Sequence, residues 1–226
     1  MGIIGGVCVL DIYLVRHGAT LWNKMGIWQG QRDVELDEEG INQAKATAER
    51  FKNIKIDGMY TSVLQRAIKT AEIINQYHNL QIKKDSDLNE CNIGKWDGKK
   101  IEEILLNYKE ELEYWHKDIW ASVEDVETLG DVQRRAVRAI KRIVKEHKLE
   151  DKIVVVAHGL AIRTIISWIL NIPLNQHTSF RVDNASVSHV IYEGDYRYVL
   201  ASLNETWHLE YYGLETYLTP EEKEID

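Results

Sequence analysis

The stretch that most constrains the fold is Ile153-Val154-Val155-Val156, four β-branched residues in a row between Lys152 and Ala157-His158-Gly159. It is too short for a buried helix and apolar on both faces, which is the pattern of a strand covered from two sides. Residues 8–16 repeat it, with Val9, Leu10, Ile12, Leu14 and Val15 crowding a run that ends in Arg16-His17-Gly18. Short strands are also expected over 56–61 and 81–84, and a hairpin over 186–192 and 196–202 around Glu193-Gly194-Asp195.

Between these runs the period changes to that of helices. Residues 37–51 carry Ile41, Ala44, Ala48 and Phe51 on one side, and 62–78 carry Leu64, Ala67, Ile68, Ala71 and Ile74, with Ser62 and Gln65 at capping-box spacing. Helices are further expected over 101–120, 132–147 and 160–170. Strands alternating with helices predict an α/β fold: a three-layer sandwich with a mostly parallel central sheet, helices on both faces and a small helical lid insertion at about 99–126, whose aromatic residues Tyr108, Tyr114, Trp115 and Trp120 fit core packing as well as a lid. The 226 residues suit one such domain, 1–218, followed by a charged tail, 219–226, expected to be disordered.

Open α/β sheets bind ligands beyond the carboxyl ends of their strands. Arg16-His17-Gly18 follows the first strand, Ser62 and Arg66 follow the second, Glu90 follows the third, and His158-Gly159 follows the 153–156 strand. Two histidines, two arginines and several hydroxyls therefore gather at one sheet edge. Guanidinium forks match phosphate oxygens, and backbone N–H groups at helix starts after Ser62 and His158 add partial positive charge. One neutral imidazole there can attack phosphorus in line, and a carboxylic acid must protonate the leaving alkoxide, for which Glu90 is best placed. Activity should then fall at acid pH as the imidazole protonates.

Other classes fit poorly. A formal net charge of -8 disfavours nucleic acid and anionic membranes as partners. No apolar run is long enough to span a bilayer, and the apolar opening lacks the basic start and cleavage pattern of a signal peptide. Cys8 and Cys91 share no CxxC spacing, so neither a disulfide framework nor a thiolate metal site is expected, and a cytoplasmic location follows. A metal held by His17, His158 and Glu90 would be repelled by the flanking arginines.

Taken in order, the motifs resemble the histidine phosphatase superfamily, the phosphoglycerate mutase-like family. Leu14-Val15-Arg16-His17-Gly18-Ala19-Thr20-Leu21-Trp22-Asn23 is followed by Gln29-Gly30, Glu39-Gly40, Ser62-Val63-Leu64-Gln65-Arg66-Ala67, Leu88-Asn89-Glu90, Glu127-Thr128 and Val155-Val156-Ala157-His158-Gly159. The resemblance implies that His17 is the nucleophile, that Arg16, Arg66 and His158 hold the phosphoryl group, and that Glu90 is the acid and then the base. It implies substrate contacts from Thr20, Asn23, Gln29, Gly30 and Gly159, and neither metal nor organic cofactor. The implied activity is a metal-independent phosphoric monoester hydrolase of the histidine acid phosphatase type, acting on a small phosphorylated metabolite; a homodimer is left open.

Two departures bear on the branch. Val126-Glu127-Thr128 stands where the family usually has Gly-Glu-Ser, and Ile93 stands where mutases usually have Tyr. The inserted helix lacks the arginine pair with which mutases grip a second phosphate, so water is favoured as acceptor. A phosphoglycerate mutase and a non-catalytic phospho-ligand binder are the alternatives.

Overall fold

The computed structural model describes residues 3–4 and 7–216, so the 219–226 tail lies outside the described residues. A two-residue pairing of β1 (Ile3–Ile4) with β2 (Val7–Cys8) precedes a six-stranded sheet. That sheet contains β3 (Leu10–Arg16), β4 (Gly58–Thr61), β5 (Ile82–Lys84), β6 (Lys152–Ala157), β7 (Val187–Tyr192) and β8 (Tyr198–Glu205), in the order β5-β4-β6-β3-β7-β8. Only β7 runs against the others, so the sheet is mostly parallel, as the sequence predicts.

All seven residues of β3 are buried. Leu10, Ile12 and Leu14 face one layer, formed by α6 (Leu129–Lys145) and α7 (Gly159–Leu170). Tyr13 and Val15 face the other, with Phe51 of α2 (Glu38–Phe51) and Ala67, Ala71 and Ile74 of α3 (Gln65–Asn75). A strand with helices on both sides is mostly apolar on both faces, which accounts for the runs Ile12–Val15 in β3 and Ile153–Ala157 in β6; the buried Asp11 is paired with Lys152 and His189.

Three helices differ from expectation. α3 starts at Gln65 rather than 62, and its cap position, Leu64, makes no side-chain cap bond. The Ser62 hydroxyl turns instead to His158, with Oγ 2.7 Å from Nε2. The 101–120 segment is two helices, α4 (Ile101–Asn107) and α5 (Lys109–Lys117), broken at Tyr108. α6 starts three residues early because the Thr128 hydroxyl caps it, accepting from Asp131 N at 3.1 Å, while Arg142 and Lys145 suit its last turn.

The insertion buries Trp115, Leu112, Ile104 and Ile101 in a second core with Trp96, Leu129 and Val132. Gly130 admits the Trp120 ring, which lies 2.3 Å from where a Cβ would stand. No helix among the described residues is long and apolar enough to cross a membrane.

Candidate active site

β3 and β6 are neighbours in register, with Arg16 opposite Ala157, so His17 and His158 leave the sheet side by side. Their ring centroids are 5.1 Å apart. β4 lies on the other side of β6, Thr61 opposite Val156, and delivers Ser62 and then Arg66 to the same edge. The loop after His17 is pinned tightly. Gly18 N donates to Thr70 Oγ1 at 3.1 Å, and Ala19 N donates to Gln43 Oε1 at 2.8 Å. A Cβ on Gly18 would stand 2.3 Å from the Gly40 carbonyl oxygen, and one on Gly40 would stand 2.0 Å from that of Ala19. Only two glycines allow this close approach of backbones, which ties Glu39-Gly40 to His17-Gly18 in this fold.

His17 is held in one tautomer. Its Nδ1 lies 2.7 Å from the Gly18 carbonyl oxygen, a partner that can only accept, so Nδ1 carries the proton. Nε2 is left as an acceptor and takes a hydrogen bond from Arg66 Nε at 3.3 Å. Burial, then the charges of Arg66 and Arg16, holds the imidazole well below the usual histidine range, so it is neutral at pH 7. His158 is depressed in the same way, by burial first and then by Arg66.

Each arginine is anchored through backbone. Arg16 Nη1 donates to Val182 O at 2.7 Å. Arg66 donates from Nη1 to Arg32 O at 2.6 Å and from Nη2 to Gly30 O at 2.8 Å. Burial lowers Arg66 to about 10, while Glu90, Asp33 and Asp97 favour its charged form. Gly30 has φ +47, and a Cβ there would meet Ile93 Cγ1 at 2.6 Å, so glycine serves both the turn and the packing.

Glu90 closes the site from the third strand's side. Its Oε1 accepts from Cys91 N at 2.9 Å and its Oε2 from Leu160 N at 3.2 Å. The first turn of α7 therefore donates to this carboxylate. Arg135 of α6 holds the segment behind it, donating to the carbonyls of Asp87 and Glu90 at 2.9 Å each and also to that of Asn89. Glu127 fixes the Arg135 guanidinium with both carboxylate oxygens, at 2.7 and 2.9 Å.

A narrow cavity of about 60 Å³ lies among these groups. Its polar lining is Arg16, His17, Asn23, Gln29, Gly30, Arg66 and Glu90. Ile27, Trp28, Cys91, Ile93 and Leu160 complete it. Of the residues expected to touch substrate, Thr20, Gly159 and His158 do not line it. Thr20 caps the short helix α1 (Leu21–Lys24) and holds the Asn23 side chain, accepting from Asn23 N and donating to its Oδ1 at 3.0 Å. Gly159 opens α7, and His158 stands fully buried behind His17, hydrogen-bonded to Ser62. No residue of α4 or α5 lines the cavity. The expected lid is core packing behind the Trp28, Ile93 and Leu160 wall.

Two supports carry no sequence signal of their own. One is Arg135, which acts on backbone carbonyls. The other is the segment before β7, where Asn184 Nδ2 donates to His17 O at 3.1 Å and Ala185 N donates to the same oxygen. Among the described residues no group of three or more His, Cys, Asp or Glu side chains is placed to hold a metal ion.

The family model of the histidine phosphatase superfamily (branch 1) matches residues 12–206. The chain belongs to that superfamily. It is 34% identical over 209 residues to phosphoserine phosphatase 1 of Hydrogenobacter thermophilus, covering 90% of this chain and 97% of the relative. It is 32% identical over 211 residues to the probable phosphoglycerate mutase GpmB of Yersinia pestis, covering 89% and 96%. The crystal structure of phosphoserine phosphatase from Entamoeba histolytica, in complex with 3-phosphoglyceric acid, superposes with a TM-score of 0.77 at 29% identity, covering 88% and 99%. In this superfamily member the ends of β3 and β6 and the segment after β4 meet at the cavity.

Proposed function

We propose that this protein is a phosphatase that hydrolyses small organic phosphate monoesters through a phosphohistidine. Nε2 of His17 attacks phosphorus, the P–O bond to the alcohol breaks, and Glu90 gives the alkoxide its proton. Glu90 then takes a proton from water as that water attacks the phosphohistidine, releasing phosphate and restoring His17. Arg16 and Arg66 neutralise the phosphoryl oxygens throughout, and His158, bonded to Ser62, buttresses His17 from behind. Asn23, Gln29 and Gly30 form the rim.

The observation that carries this reading is the tautomer of His17: Nδ1 bound to the Gly18 carbonyl, Nε2 unprotonated beside Arg66 in the cavity. Ile93 in the wall, the place where mutases carry Tyr, favours water as the acceptor. The free thiols Cys8 and Cys91 suit the cytoplasm, where we place the enzyme.

The test is hydrolysis of 4-nitrophenyl phosphate with excess chelator. Turnover that survives chelation and disappears in His17→Ala supports the proposal. Isomerisation of phosphoglycerate without net phosphate release would make the protein a mutase, and phosphate binding with neither activity would make it a binding protein.

A further inference from the structure

We infer that the leaving-group side of the cavity is built for an uncharged alcohol and works against a substrate that carries a carboxylate beside its phosphate. This rests on the phosphatase reading above and adds the chemical class of the alcohol. The charged side chains lining the cavity are Arg16, Arg66 and Glu90. Both guanidiniums belong to the phosphoryl end: Arg16 precedes His17 in the chain, and Arg66 reaches its Nε2. A phosphate monoester brings about two negative charges near neutral pH, so two guanidiniums match it with no positive charge left over.

The rest of the lining carries no charge: Asn23, Gln29 and Gly30 at the rim, and the apolar Ile27, Trp28, Cys91, Ile93 and Leu160. Cations on the framing loops are engaged elsewhere. Arg32 Nε is 2.7 Å from Asp97, and Lys24 Nζ is 2.8 Å from Asp37 and 2.9 Å from Glu39. Three carboxylates, Glu90, Asp33 and Asp97, already act on Arg66. A second anionic group on the substrate would lose its water here with no third cation among the described residues lining the cavity to offset the loss. A hydroxyl loses far less on leaving water than a carboxylate, and an alkyl group loses nothing.

Glycerol 3-phosphate and 3-phosphoglycerate share a three-carbon skeleton and differ at one end, a CH2OH against a carboxylate. Their ratio of kcat/KM isolates that charge, with 4-nitrophenyl phosphate as a common reference. The expected preference for glycerol 3-phosphate is at least about tenfold, equivalent to about 1.4 kcal/mol. Ile93→Lys places a cation in the wall and should cut the preference by about tenfold or reverse it. Gln29→Lys makes the same change from the rim and serves if Ile93→Lys does not fold. Hydrolysis of the aryl ester with 3-phosphoglycerate preferred overturns the inference and leaves the phosphatase reading standing, as does a ratio unmoved by either lysine. No hydrolysis of any of the three esters overturns both.

Discussion

The two ends of the cavity are made by different means. The phosphoryl end is made of groups that leave adjacent strand ends and are fixed by backbone: His17 on Gly18 O, Arg66 on Gly30 O and Arg32 O, Arg16 on Val182 O. The leaving-group end is a wall of apolar side chains, Trp28, Ile93 and Leu160, held from behind by the insertion's own core around Trp96 and Trp115. The first arrangement resists change because a parallel sheet sets its spacing. The second is a matter of side-chain volume and can drift without disturbing the strands. Chemistry should therefore depend on the first end and substrate choice on the second.

The largest effect tests the rigid end. His17→Ala should lower turnover by about a thousandfold or more, since covalent catalysis ends with the nucleophile. Loss of under about tenfold, measured in a steady-state phosphate-release assay, would move the chemistry elsewhere.

Glu90→Gln and Arg135→Met come next, and they link the two ends. Both should slow hydrolysis of an alkyl phosphate by about a hundredfold, the scale of general acid catalysis. Both should slow the phosphorylation step with 4-nitrophenyl phosphate, read as kcat/KM, much less, because its leaving group needs no proton. Vanadate affinity should hold in each. Equal losses on both esters would make Arg135 a fold support and not a residue that positions the acid.

A pH experiment separates the regions differently. Burial lowers His116 of the insertion to about 4, and burial with Arg163 lowers its ring neighbour His177 to about 3. Unfolded, both titrate near about 6.5. The unfolded chain therefore binds more protons below that value. The stability these groups contribute is complete above about pH 6.5 and is lost as pH falls towards their folded values, on the order of 3 kcal/mol for His116. Urea unfolding at pH 7.5 and pH 4.5 checks the sign; equal stability at the two values would contradict it. The same reasoning corrects the simple expectation for His17. Its neutral form should persist well below pH 6.5 in an NMR titration of the ring, and a midpoint at or above 6.5 would show that the arginines do not act on it as described.

The smallest effect on chemistry belongs to the insertion. Trp115→Leu removes a fully buried ring and should cost about 2–4 kcal/mol of stability. It should change KM for alkyl esters a few-fold while vanadate affinity stays within about twofold. A collapse of vanadate binding would mean that the two ends are mechanically one.

The sequence revealed the rigid end far better than the soft one. β3 and β6 declare themselves through apolar runs on both faces, and Arg16, His17, Arg66, Glu90 and His158 stand close after strand ends, where α/β sheets place their ligands. Their convergence follows from topology, because β6 lies between β3 and β4. What was misread depends on contacts distant in sequence. Ser62 has a capping residue's spacing, but His158, 96 positions away, takes its hydroxyl. Thr20 and Gly159 belong to the motif, yet one caps a helix and the other starts one. Tyr108 interrupts a helix whose apolar period alone runs straight through. Arg135 and Asn184 act through carbonyl groups, which leave no mark on residue type. The insertion carries aromatic residues that suit a lid as well as a core, and only the packing of Trp115 against Trp96 decides.

The most direct test of the account is to trap the phosphorylated enzyme at short times and locate the phosphoryl group by mass spectrometry and 31P NMR. The account predicts an acid-labile, base-stable phosphohistidine on His17, bonded at Nε2. A phosphoryl group at Nδ1 of His17, on His158, or on any other residue would contradict it.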